Sequence, residues 1–383
     1  MAKTILILGG GVGGVVAANT LRKKLGRQHE IVVVDKKRNF EFAPSYIWVM
    51  MDWRNPARVV RSLTRLESNG AKYIQGVVSH VNPANRVVEI NGEEHAYDYL
   101  IISLGADLAS EAIPGLAEVA HHFYQLDATE KLRRVLASFS RGTLAIGVAS
   151  TPFKCPAAPY EAALLIDYHF RRIGIRDRVN MKFFTPEPQP MPVAGPEIGG
   201  MISNMLSQRN IEYNPNLKLV SVNNANKELI FDKGEKMKFD LPIIVPPHKP
   251  PPAVKESNLD DGSGWIPVHR GTMRTKYDDV YAVGDIATMK LPSGMMLPKA
   301  GVFAERQALA VAHNIASDIL GDGQVEEWDG KGSCFLEMGY GKAGYASGNF
   351  FAEPKPDVKP RRPGRIWHWS KVLFEKYWLW RWL

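Results

Sequence analysis

A strand, a glycine run, a helix, a second strand and an acid follow one another between residues 4 and 35, and few folds accept that order. The apolar run Thr4-Ile5-Leu6-Ile7-Leu8 leads into Gly9-Gly10-Gly11-Val12-Gly13-Gly14, which sets Gly9, Gly11 and Gly14 at the G-x-G-x-x-G positions. A helical pattern runs from Val15 to Leu25, and the strand Glu30-Ile31-Val32-Val33-Val34 ends on Asp35. The glycines permit a tight turn and close approach of a pyrophosphate to a helix N-terminus, and the carboxylate suits ribose hydroxyls. These segments predict dinucleotide binding, and Asp35 argues against a 2′-phosphate in that pocket.

The rest of the chain narrows the class. Its 383 residues are 45% apolar and 23% charged, an ordinary globular composition that excludes a disordered, fibrous or polytopic membrane protein and predicts two or three packed units. No charged leader with a long apolar core precedes the first strand and no apolar stretch is long enough to span a bilayer, so the expectation is a protein of the cytoplasmic side. The formal charge of +8 is modest, and no nucleic-acid motif accompanies it. Cys155 and Cys334 are the only cysteines, too few for a disulfide framework or a four-ligand zinc site, and no metal site is expected. Buried structural thiols and a redox pair both remain open at this point.

Two later segments, Leu100-Ile101-Ile102-Ser103-Leu104-Gly105-Ala106 and Asp279-Val280-Tyr281-Ala282-Val283-Gly284-Asp285, are similar to the places where flavoprotein disulfide reductases leave their FAD domain and direct an aspartate at the ribityl chain. They favour FAD as the dinucleotide. A second Rossmann-like strand, Thr143 to Gly147, is followed by Ala149 and Pro152 at the remaining glycine positions, which would obstruct a pyrophosphate. The nicotinamide site is expected to be dismantled. In its place stands Cys155, beside Lys154 and ahead of a helix with Pro159 in its first turn, a setting expected to lower the thiol pKa. Glu161 follows in that helix, where it can move a proton, while Lys299 opens another helix and can balance negative charge on a reduced flavin.

Taken together, Gly9 to Gly14, Phe42-Ala43-Pro44-Ser45, Cys155 to Glu161, Val283-Gly284-Asp285, Pro298-Lys299-Ala300-Gly301, Cys334-Phe335 and the run Gly364 to Tyr377 resemble the sulfide:quinone oxidoreductases over nearly the whole chain. The run His368-Trp369-Ser370-Lys371-Val372-Leu373-Phe374-Glu375-Lys376-Tyr377 is the most specific piece. The resemblance implies an α/β fold of two interleaved Rossmann-like domains with a C-terminal amphipathic membrane-contact segment. It implies an FAD domain at 1–106 and 266–330, a second domain at 107–265 carrying Cys155, and a quinone and membrane segment at 331–383 carrying Cys334. Cys155 and Cys334 correspond to a disulfide or sulfur-bridged pair beside the flavin. Gly9, Gly11, Gly14, Asp35, Lys36, Pro44, Val78, Gly105, Gly284, Asp285, Lys299 and Gly301 fall to the FAD site, and Phe335 and Phe374 to the quinone. One departure counts: a third cysteine common in the family is absent from His121 to Asp127. The chain is also similar around Cys155 to the flavocytochrome c sulfide dehydrogenases, which tether FAD through a cysteine near the region of Pro44; none stands there, so the flavin is expected to be non-covalent.

The implied activity is oxidation of hydrogen sulfide to zero-valent sulfur or polysulfide, with two electrons passed through FAD to a membrane quinone. The competing readings are a type II NADH:quinone oxidoreductase and a non-catalytic flavin-containing membrane adaptor. Five of the nine tryptophans fall within 367–382, a pattern expected of a helix seated in a lipid headgroup layer. That helix is expected to hold Lys371, Glu375 and Lys376 on its polar side, and to be removable without loss of FAD. Assembly into a homo-oligomer is left open.

Overall fold

The computed structural model describes residues 1–383. Its first sheet is five-stranded, in the order Val280–Ala282, Tyr99–Ile102, Thr4–Leu8, Glu30–Asp35, Lys72–Gln75, with every pairing parallel. Parallel sheets bury both faces, which is why the strands read as unbroken Ile, Leu and Val runs; Ile5, Leu6, Ile7 and Leu8 are all buried. The opening strand has its two neighbours on opposite sides, Leu8 pairing with both Val34 and Ile102. The carboxyl end of that strand is therefore a topological switch point, and the glycine run sits there. The helix Val12–Leu25 packs along the long helix Gly301–Leu320, so both begin at the same end of the sheet.

A second parallel sheet runs Ile211–Asn214, Val179–Phe184, Gly142–Val148, Leu241–Val245. Its central strand ends at Val148, but the following helix, Ala158–Arg172, starts only after a nine-residue loop, against three residues between Leu8 and Val12 in the first unit. An added Cβ on Gly147 would meet the Phe184 ring at 2.4 Å, so this glycine serves strand packing beneath an aromatic. The long loop carries Cys155 in place of a phosphate turn.

The chain closes with an antiparallel sheet of Lys331–Gly339, Lys342–Asn349 and Asp357–Gly364, then the helix Arg365–Trp382. The sheet lies against Ala158–Arg172. The terminal helix returns to the first unit, where Trp378, Leu379 and Trp382 join the core formed around Val15, Ala18 and Ile315. Trp378 stacks on Phe40 at 4.8 Å and donates its ring N–H to Glu305 Oε2 at 3.1 Å. No helix is long and apolar enough to cross a membrane.

Candidate active site

The glycine loop is built for a close-lying ligand. A Cβ on Gly14 would fall 1.8 Å from the Gly9 carbonyl oxygen, so only glycine fits there, whereas a Cβ on Gly11 would meet nothing within 4 Å and projects into open space. Asp35 holds the loop from below, its Oδ2 accepting from the Gly10 N–H at 2.6 Å and its Oδ1 from Lys37 N–H at 2.7 Å. Neither the helix starting at Val12 nor the one starting at Gly301 has a side-chain cap or an acid in its first turn. Their N-terminal N–H groups and positive dipole ends are thus free for an anionic ligand, and Gly301 is itself open toward Val12. Gly105 leaves the first sheet with no neighbour where a Cβ would be, and Gly284 donates its N–H to the buried Gln307 at 2.8 Å beside Asp285. These features fit a dinucleotide-type flavin. Lys36, next to Asp35, is exposed and paired with Asp107 at 3.2 Å, Pro44 is exposed in a short turn, and Val78 is half-buried at the start of the strand Val78–Asn82.

Both cysteines, though 179 residues apart in sequence, line one largely apolar cavity of about 790 Å³ together with Lys299, Trp265, Met191 and Phe350. Cys155 holds φ at +53°, a left-handed conformation that a side-chain-bearing residue rarely adopts. Two bonds keep it there: its N–H donates to the Lys299 carbonyl at 2.7 Å, and its own carbonyl accepts from Ala158 N–H at 3.0 Å. The Cys155 loop of the second unit is thereby joined to the helix start of the first. Lys299 is buried, its ammonium donating to the Asp285 carbonyl and lying 3.6 Å from the Trp265 ring centroid. Burial pulls its pKa down to about 8, with Asp285 opposing the shift.

Beneath the cysteines lies a chain of buried charges. Glu161 Oε1 accepts from Lys371 Nζ at 2.7 Å and from Glu337 N–H at 2.7 Å, while the Glu337 carboxylate lies 3.0 Å from His368 Nδ1. Burial alone would lower Lys371, yet Glu161 and Glu337 hold it above the usual lysine value; burial pushes the Glu337 carboxyl up. The aromatics run Trp367, Tyr345, Phe335, Phe374, Phe42 with centroid separations of 4.4, 5.2, 6.4 and 5.9 Å, so Phe335 and Phe374 face one another.

The pyridine nucleotide-disulphide oxidoreductase family pattern matches residues 3–308. The mitochondrial sulfide:quinone oxidoreductase of Dictyostelium discoideum is 30% identical over 353 residues, covering 88% of this chain and 76% of that protein. The mitochondrial sulfide:quinone oxidoreductase of Mus musculus is 26% identical, covering 91% and 79%. The X-ray structure of the sulfide:quinone oxidoreductase from Aquifex aeolicus superposes with a TM-score of 0.91 at 24% identity, over 100% of this chain and 91% of that one. The chain belongs to the sulfide:quinone oxidoreductase family. It is an oxidoreductase of the flavoprotein type, and its fold is the expected α/β one.

Against the sequence expectations, this family member differs in three respects. The thiol of Cys155 is pushed up to about 12 by burial and by Glu161, and that of Cys334 is also raised, by burial and by Cys155. Lys154, expected to favour the thiolate, instead depresses His122 and His248; the cation that acts on both thiols is Lys371. Second, Lys371 and Glu375 are not on an outer polar side of the terminal helix but buried in the protein, Glu375 bonded to Ser45 and to Arg54 at 3.0 Å. Third, because Trp378, Leu379 and Trp382 are core residues, the helix is not a removable appendage. Sequence reading missed Glu187 altogether. It lines the cysteine cavity, and burial raises its carboxyl to about 7, with the Tyr160 hydroxyl opposing the shift. The one signal for it was an acid at the end of a second-unit strand, a position the absent glycine motif made unremarkable.

Proposed function

We propose that this flavoprotein oxidises hydrogen sulfide to a polysulfide through a Cys155–Cys334 redox pair and passes the electrons through non-covalent FAD to a membrane quinone. The observation that carries this reading is the meeting of the two cysteines in one cavity beside Lys299. Hydrosulfide attacks one sulfur of the inter-cysteine disulfide; a new S–S bond forms as the old one breaks, leaving a persulfide and a thiolate. The buried ammonium of Lys371 offsets that thiolate charge in a site where burial otherwise disfavours it. A second hydrosulfide takes the outer sulfur, giving hydrodisulfide and two reduced cysteines. Re-forming the disulfide releases two electrons and, over the cycle, one proton, which Glu161 accepts through its link to Lys371 and Glu337. When bound, FAD supplies a two-electron acceptor able to deliver to quinone. The glycine loop, Asp35, Gly105, Asp285 and Lys299 hold it, and with both cysteines committed to the cavity no thiol remains to tether it.

Membrane contact falls to the outer face of the terminal helix. Ile366, Trp369, Leu373, Tyr377 and Trp380 recur every three or four residues and are exposed, Trp380 to 79%. A helix lying flat on the bilayer through this stripe brings Phe374, which sits on the same helix and packs toward Phe335, close to the lipid where quinone resides. The test is sulfide:quinone turnover in Cys155→Ser and Cys334→Ser. Each is expected to lose at least about a hundredfold while keeping its flavin absorbance; turnover retained in either variant rejects the redox pair.

A further inference from the structure

A groove of about 1140 Å³ runs between the segment 53–65 and the outer flank of the terminal helix, away from the cysteine cavity. Its lining carries five cations, Arg54, Arg58, Arg61, Arg65 and Lys376, against the Glu375 carboxylate and the terminal carboxyl group of Leu383. Glu375 is already committed to Arg54 and Ser45. Arg65 is held by the Leu383 carbonyl, and Arg61 donates to the carbonyls of Arg58 and Val60, so Arg58, Arg61 and Lys376 have no acidic partner. Grouped cations left without counter-charge repel one another unless an anion settles among them.

The same groove is flanked by Trp369 and Trp380, two of the exposed side chains of the apolar stripe. Cations inside and indoles at the lip call for a ligand with an anionic head and an apolar body. We propose that the groove is a binding site for an anionic phospholipid, its phosphate among Arg58, Arg61 and Lys376 and its acyl chains leaving past Trp369 and Trp380. A neutral quinone ring has no use for three unpaired cations, and a soluble anion has none for the indoles. The inference rests on the membrane-contact reading of the terminal helix and adds to it a lipid selectivity.

Flotation of the flavin-loaded protein with phosphatidylcholine vesicles, and with vesicles also containing phosphatidylglycerol, tests both levels separately. Wild type is expected to float with the former and on the order of a hundredfold more strongly with the latter, since each of the three cations adds roughly 1 kcal/mol near an anionic membrane. Arg58→Gln/Arg61→Gln should lose that gain and keep the phosphatidylcholine binding, with unchanged flavin content and Tm. Lys233→Gln/Lys238→Gln, an equal charge loss on exposed positions elsewhere, should keep the gain. The inference is overturned if the two double variants behave alike. It is overturned equally if inorganic phosphate without vesicles stabilises wild type but not Arg58→Gln/Arg61→Gln, which would mark a free-anion site. Wild type that floats with neither vesicle contradicts the membrane reading itself.

Discussion

Lys371 is the side chain on which the most depends. It is buried, bonds Glu161, is held in its charged form by Glu161 and Glu337 against the pull of burial, and is the one cation that lowers both thiols. Replacing it by Met leaves Glu161 buried without its counter-ion, a change that costs about 3–5 kcal/mol in comparable pairs. Lys371→Met is therefore expected to lower Tm and to slow alkylation of the reduced cysteines at pH 9. Alkylation at the wild-type rate would show that the ammonium does not act on the thiols. Glu187 offers a pH test. Its folded carboxyl, raised from 4.5 to about 7 by burial, costs stability as pH climbs from 4.5 to 7 and holds that full cost above 7. Glu187→Gln should match wild type near pH 4 and exceed it by up to about 3 kcal/mol at pH 8. Thermal melts at the two pH values decide it, and a gain that does not depend on pH contradicts the assignment.

At the scale of elements, the terminal helix has two faces with separate tasks. One is core: Leu379→Ala is expected to cost about 2–5 kcal/mol, and removal of 366–383 to give a chain that does not hold its fold, because Trp378, Leu379 and Trp382 leave with it. The other is the stripe: Trp369→Ser/Trp380→Ser should leave Tm and flavin content unchanged while reducing vesicle binding severalfold. Loss of stability in the stripe variant, or none in Leu379→Ala, would reverse the two faces. The tail composition alone did not separate them. Tryptophans at 367, 369, 378, 380 and 382 cover more than one side of a helix, and hydropathy does not reveal which side the first domain will occupy. The charged residues misled for a related reason: Lys371 and Glu375 look like a polar face until Glu161 and Arg54, each more than 200 residues distant in sequence, are brought against them.

Over the whole molecule, what was legible was local. The strand, glycines, helix and acid of residues 4–35 specify their own geometry, and the lengthened loop after Val148 was foreshadowed by Ala149 and Pro152 in place of glycines. What was not legible was long-range burial. A thiol next to Lys154 and before a helix reads as activated, yet its electrostatics are set by burial, Glu161 and Lys371, in a cavity assembled from the loop after Val148, the segment leading into Gly301–Leu320 and the closing antiparallel sheet. In the proposed cycle, with a thiol loop where a nicotinamide site would require a glycine turn, electrons enter from sulfide and not as hydride. Anaerobic stopped-flow of the flavin-loaded enzyme, mixed in parallel with sulfide and with NADH, measures this directly. Sulfide is expected to bleach the flavin band rapidly in wild type and not in Cys155→Ser, with NADH ineffective in both; bleaching by NADH at the faster rate, or by sulfide in Cys155→Ser at the wild-type rate, would contradict it.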